Sequence, residues 1–227
     1  MRPWRLGATV VAMAVSCPCA AQSARDILTQ ASFADRDPDD ALKKVVQAQA
    51  LTSAQLRRDP GDREALLMQA TALGYRAKLT GSRTDAVGAR HAFEALVARD
   101  PRNAEAQLGF GAWHMGAIAK VGRMVGRALL GAQKPVAFAA LDRAVALGGD
   151  RALFPGLAAL LRLQADPADP RGRQLAEVAA RAGVATPLDR LMQRGAVTIL
   201  ASLRGDDPAA TRKLASQLLP LGRLPDR

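Results

Sequence analysis

The segment RDPGDREA at residues 58–65 returns at residues 99–106 as RDPRNAEA, 41 positions further along the chain. In each copy the proline ends the incoming helix, because its ring and its missing N–H do not fit a helix interior. Asp62 and Asn103 then stand where a side-chain oxygen can cap the next helix, and a Glu two positions later falls in the first turn of that helix. Two such turns in one register indicate an internal repeat of helix–turn–helix units.

The same signals divide the rest of the chain. Prolines preceded by Asp or Thr open helices, and Gly-containing stretches such as Thr80-Gly81-Ser82 and Gly148-Gly149 close them. The connections between neighbouring helices are short enough for the helices to pair as hairpins. The predicted helices span residues 37–58, 62–79, 84–98, 103 to about 130, 135–147, 152–164, 170–182, 186–203 and 208–219.

The composition agrees with a helical fold. Aromatic residues make up 4% of the chain, and strong helix formers such as Ala, Leu, Arg and Gln dominate it. β-Branched residues are sparse as well, so strand signals are almost absent. The sequence therefore predicts an all-α protein of stacked antiparallel hairpins, with no sheet.

The N-terminal segment has the form of an export signal. Arg2 and Arg5 precede an apolar run at residues 6–15, and small residues follow where such a signal is cut. The run is too short to span a bilayer. We therefore expect residues 1–21 to be removed and the protein to lie in the periplasm.

An alternative is that Cys17 becomes a lipid-anchored N-terminus, since Ala14-Val15-Ser16-Cys17 loosely resembles a bacterial lipobox.

Both cysteines lie in the predicted signal, so the mature chain would lack thiol chemistry and disulfides. Losing Arg2 and Arg5 would lower the formal net charge from +11 to +9. Residues 22–219 are long enough for one domain with a core, and residues 220–227 are expected to fray.

The hairpins resemble the tetratricopeptide repeat (TPR), in which small and large apolar residues recur at fixed places. The small residue of the first helix falls on Ala70 and on Gly111. Residues 58–150 carry the resemblance, but their prolines and stop signals lie 41 and about 48 residues apart, against 34 in the family. The positions expected on the second helices are Ala89, Phe93 and Leu96, and then Ala137, Leu141 and Ala144.

The resemblance implies a right-handed solenoid that binds a protein or peptide on its surface, and it brings no catalytic residues. The sequence thus favours an exported interaction scaffold of the bacterial cell envelope. One alternative is a transporter-associated or small-ligand-binding subunit, whose long hairpin would line a pocket bordered by Trp113. Another is a basic surface that binds anionic envelope components, including peripheral contact with a membrane.

The excess length of the second hairpin lies mainly in Gly116–Pro135, which we call the extension. Lys120, Arg123 and Arg127 share one helical face. This pattern fits either a basic amphipathic binding surface or a solvated charged face above an ordinary core stripe. Glycines also predict a kink near residues 116–122. The opposite face carries Val121, Met124, Val125, Ala128 and Leu129.

Trp113 and His114 precede the extension. His114 stands where the TPR family usually has a tyrosine, which favours a packing role, and Trp113 is expected to be a buried anchor or else a ligand-facing aromatic. Together with Lys120, Arg123 and Arg127 they form the candidate binding set.

No enzyme is predicted. Gly109-Phe-Gly111 is followed by His114 where a dinucleotide fingerprint needs glycine, and no phosphate loop or nucleophile elbow occurs. Two isolated histidines and no mature cysteine argue against a metal site. No cofactor is expected, and scarce stacking aromatics together with the export signal argue against nucleic acid.

Overall fold

The computed structural model describes residues 22–205 and 207–225, and within these ranges the protein is all-α without a strand. The predicted export signal and the alternative lipid attachment at Cys17 lie outside the described residues. The helices are α1 (Ala24–Phe33), α2 (Pro38–Arg58), α3 (Arg63–Thr80), α4 (Arg83–Arg99), α5 (Ala104–Val121), α6 (Arg123–Val125), a π-helical turn (Gly126–Leu130), α7 (Lys134–Leu147), α8 (Leu153–Ala165), α9 (Pro170–Arg181), α10 (Pro187–Ser202) and α11 (Pro208–Leu218).

The all-α prediction is confirmed, and most predicted helices begin and end close to the observed ones. The helix predicted from 103 to about 130 is the exception: α5 ends at Val121, and α6 and the π-helical turn follow it. The sequence analysis does not predict α1, which is short. Its start is fixed by a capping box, in which the Ser23 hydroxyl accepts from the Asp26 N–H and the Asp26 carboxylate reaches back to Ser23. Ile27 and Leu28 then bury its inner face against α2 and α3.

The repeated turns have the same hydrogen bonds. Asp62 Oδ1 accepts from the Ala65 N–H at 2.9 Å, and Asn103 Oδ1 accepts from the Ala106 N–H at 3.0 Å. A third turn of this kind, which the sequence analysis did not identify as a copy, lies at Asp166-Pro167-Ala168-Asp169. In all three, the first Asp side chain accepts from the N–H two residues later, at 2.8, 3.1 and 2.9 Å. The turns therefore fix helix starts locally.

Consecutive helices pack against one another along the chain, and α5 packs mainly against α7. Two apolar clusters result. The first cluster contains residues of α1, α2, α3 and α4. The second contains residues of α5, α7, α8, α9, α10 and α11. All eight residues named for the TPR resemblance are buried, as their packing role requires. The TPR-like assignment and the right-handed solenoid themselves remain predictions.

Gly111 shows why a small residue is needed on α5. A Cβ built there would lie 2.8 Å from the Leu141 side chain and 3.0 Å from the Ala137 carbonyl oxygen. Those distances are shorter than a van der Waals contact, so α7 packs directly against the backbone of α5 at this point.

An ion-pair chain crosses the helix starts. The Arg25 guanidinium bridges Glu64 and Glu105, each at 2.7 Å. Glu105 and the buried Asp189 are in turn bridged by Arg151, each at 3.2 Å. The Glu of each sequence repeat thus meets the same arginine, which places the first turns of α3 and α5 side by side.

The tail differs from the expectation that residues 220–227 fray. Leu221 is buried, its N–H donates to the Ser32 carbonyl at 2.8 Å, and the Pro220 carbonyl accepts from Lys78 Nζ. The described part of the tail therefore packs on the first cluster, because Leu221 and Leu224 supply apolar surface that α1 and its neighbours cover.

Candidate functional site

The extension leaves the hairpin where the glycine pattern predicts a kink. Helix α5 ends at Val121, and Gly122 adopts φ +81°, which an L side chain rarely adopts. A short helix, α6 with the π-helical turn, runs to Leu130. Gly131 at φ +71° turns the chain back toward α7. The kink prediction is confirmed, with the break at its C-terminal limit.

Two arginines of α4 hold the far end of this short helix. Arg83 Nη2 donates to the Leu129 carbonyl at 3.1 Å, and Arg90 Nη1 donates to the Leu130 carbonyl at 2.8 Å. These carbonyls lie at a helix C-terminus, where cations are favoured. The sequence analysis missed both arginines, since nothing local links them to a segment about 40 residues away.

Gly131 is required by the same contact. A Cβ at this position would lie 1.9 Å from Arg90 Nη1, and the residue also has a left-handed backbone. The close approach of backbone and guanidinium therefore needs a residue without a side chain.

His114 fixes the return of the chain. Its ring is 2% exposed, and its Nδ1 accepts from the Gln133 N–H at 3.1 Å. Phe110 and Trp113 meet the ring edge-on, with centroids 4.6 and 5.0 Å away. Burial, reinforced by the positive charge of Arg90, lowers the pKa of His114 to about 4. The neutral imidazole is thus a packing and hydrogen-bonding group, as the sequence favoured.

Trp113 also serves as an anchor. It is half-buried, and its Nε1–H donates to the Ala86 carbonyl of α4 at 2.9 Å. The five candidate binding residues therefore divide into two groups. Trp113 and His114 tie the extension to the hairpins, whereas Lys120, Arg123 and Arg127 are exposed on it.

The interpretation of an ordinary core stripe beneath the charged face is wrong. The chain turns out of the hairpin at Gly122. The π-helical turn still contacts α4 and α5, but no neighbouring helix covers Val121, Met124, Val125 and Leu129. Only small residues, Gly126 and Ala132, are buried where the extension folds on itself. Ile118 and Leu130 are half-buried, whereas four large apolar side chains of the extension remain exposed: Val121 by 39%, Met124 by 81%, Val125 by 45% and Leu129 by 49%.

The exposed apolar residues coincide with a positively charged segment. No acidic residue occurs between Glu105 and Asp142, and four basic residues occur there. Of the nine large apolar side chains that are exposed in the described chain, four lie within Val121–Leu129. Within the described residues the extension exposes four large apolar side chains beside unmixed positive charge, against two, Val46 and Leu51, in the acid-free residues 41–58 of α2.

Two grooves stand out in the described part of the chain. The larger, of about 390 Å³, lies between the start of α1, the end of α2 and the start of α3. A shallower one is lined by Arg25, Glu64 and Glu105, whose charges already pair with one another. Neither groove includes a residue of the candidate binding set.

The described residues contain no group of His, Cys, Asp and Glu side chains that could hold a metal ion. In the same residues no helix combines the length and the apolar character needed to cross a bilayer.

Comparison with protein-family models, with characterised proteins and with solved structures finds no match to this chain.

Proposed function

We propose that the protein is a non-enzymatic docking protein of the bacterial cell envelope. In this proposal the helical hairpins, which resemble TPR units, form a rigid support, and the extension is the surface that binds a partner. The TPR resemblance taken by itself favours a protein or peptide partner, and the charge of the extension favours an anionic one.

One observation carries the proposal: four large apolar side chains are exposed together on a segment that the rest of the protein holds in place. Exposed apolar side chains scattered singly are ordinary, whereas a cluster of them marks an interaction surface. Burying one such side chain against a partner contributes about 1.5–3 kcal/mol to the free energy of binding, so the cluster can supply much of the affinity for a partner.

The supports of the extension favour binding over mere mobility. Arg83, Arg90 and the His114–Gln133 hydrogen bond fix both the far end of the short helix and the return to α7. A surface that is ordered before binding loses less conformational entropy when it binds. The arrangement is therefore suited to recognition by a preformed surface.

Photo-crosslinking tests the proposal. A photoreactive amino acid is placed at position 124 of the full chain, and a matched control carries it at position 197 on α10, where Val197 is also exposed, by 55%. We expect irradiation of intact cells to give a defined adduct from position 124 and none from position 197. Equal adducts from both positions, or none from position 124, would refute docking through the extension.

A further inference from the structure

We infer that the extension docks on the surface of an anionic phospholipid bilayer. This inference rests on the proposed function, because it names the partner of the same surface. It is carried by three features of the described residues: the apolar side chains, the sign and placement of the charges, and the way the backbone of the short helix is satisfied.

The apolar side chains suit shallow insertion. Met124 is the most exposed of the four. Val125 and Leu129 lie on the same short helix, and Val121 is the last residue of α5. Apolar side chains of an amphipathic helix at a bilayer surface enter the boundary between headgroups and acyl chains. A segment of this length would lie on the membrane and would not cross it.

The charges suit an anionic surface. Arg123 and Arg127 lie on the same short helix as Met124, and Lys120 lies in the last turn of α5. Each Lys or Arg held near an anionic leaflet strengthens binding by about fivefold. An acidic side chain would oppose this attraction, and none occurs in residues 106–141.

The backbone carbonyl groups at the end of the short helix already accept hydrogen bonds within the protein, which suits a medium poor in water. The last carbonyls of a helix lack partners within the helix, and an unsatisfied carbonyl is costly wherever the acyl chains of a membrane exclude water. Here Leu129 and Leu130 direct their carbonyls to the guanidinium groups of Arg83 and Arg90. The Arg127 carbonyl accepts from the Gly131 N–H, and the Gly126 carbonyl accepts from the Ala132 N–H. The end of the short helix is thus capped from the protein side.

A protein partner would need acidic groups among its apolar ones to match this surface, whereas an anionic bilayer offers both over any area. The geometry therefore favours the bilayer. A protein partner remains the outcome that would overturn the inference while leaving docking by the extension intact.

Vesicle flotation of the full chain tests the inference. One vesicle preparation contains equal parts of phosphatidylglycerol and phosphatidylcholine, and the other contains phosphatidylcholine alone. The charge variant is Arg123→Gln with Arg127→Gln. Its matched control is Arg190→Gln with Arg194→Gln, which removes the same charge at the same spacing from exposed positions of α10.

We expect the protein to float with the anionic vesicles and not with the neutral ones. The variant at 123 and 127 should bind about 25-fold more weakly, whereas the control should stay within about twofold. Met124→Ser should weaken binding about tenfold, and Val197→Ser should leave it unchanged.

The inference is overturned if both vesicle preparations bind equally or if the control variant loses as much binding as the test variant. It is also overturned if the chain binds no vesicles while the photoreactive probe at position 124 links a defined protein. That last result separates the two proposals, because the extension would still be the docking surface. Failure of both vesicle binding and crosslinking would remove both.

Discussion

Acidification should destabilise the fold through His114 in a calculable way. In the folded protein burial and Arg90 lower the pKa of this imidazole from 6.5 to about 4. The unfolded chain takes up the proton below the ordinary pKa, while the folded protein does not until about pH 4. Because the unfolded state then binds more protons, the free energy of unfolding falls as the pH drops from 6.5 to 4.

The magnitude follows from those two pKa values. One pKa unit corresponds to about 1.4 kcal/mol, so the full difference reaches about 3 kcal/mol below pH 4. Between pH 7.5 and pH 5.5 the share of His114 is about 1.4 kcal/mol. Protonation at Nδ1 would also remove the acceptor of the Gln133 N–H, so the loss should begin where the extension returns to α7.

Urea unfolding at pH 7.5 and pH 5.5 measures the effect. His114→Gln keeps an acceptor for the Gln133 N–H but cannot titrate, so the native protein should lose about 1.4 kcal/mol more than this variant. His91→Gln, at an exposed position of α4, is the control and should behave like the native protein. An identical pH response of the native protein and His114→Gln would refute the buried, neutral imidazole.

Three substitutions test the packing. Gly111→Ala should lower the free energy of unfolding by about 2 kcal/mol, because its Cβ would strike Leu141 and the Ala137 carbonyl. Gly116→Ala lies on the same helix, with no atom within 4 Å of the added Cβ, and should raise the free energy of unfolding by about 0.5–1 kcal/mol. Thermal unfolding compares the two variants. Effects of the same sign would contradict the packing of α5. Asp189→Ala should cost about 3 kcal/mol in urea unfolding, since it removes one of the two carboxylates that pair with Arg151 and leaves the N–H groups of Leu153 and Thr186 without their acceptor. A cost under about 0.5 kcal/mol would show that this carboxylate is not a buried hub.

The parts of the fold that depend on residues close together in the sequence could be predicted from it. Asp62 and Asn103 cap their helices with the side chains that the repeat places there, because capping acts within three residues. Gly111 and Leu141 also follow from local spacing within one hairpin. The third copy of the turn, at Asp166–Asp169, was overlooked because the Glu-Ala ending of the first two copies is missing there.

The exposed apolar surface of the extension could not be predicted in the same way. An apolar stripe at helical spacing is identical in sequence whether a neighbour covers it or not, so Val121, Met124 and Leu129 fitted both interpretations. Their exposure depends on where Gly122 turns the chain, and the end of the segment depends on Arg83 and Arg90 from another helix. Long-range contacts of that kind leave no periodic signal in the chain.

The most direct test of docking by the extension places an encoded polarity-sensitive fluorescent amino acid at position 124 of the full chain, with position 197 as the control. Isolated bacterial envelopes, which contain both lipid and protein partners, are then titrated into each labelled protein. We predict a saturable blue shift of the emission from position 124 and a constant spectrum from position 197. An unchanged spectrum from position 124, or equal shifts from both positions, would contradict the claim that the extension is the binding surface.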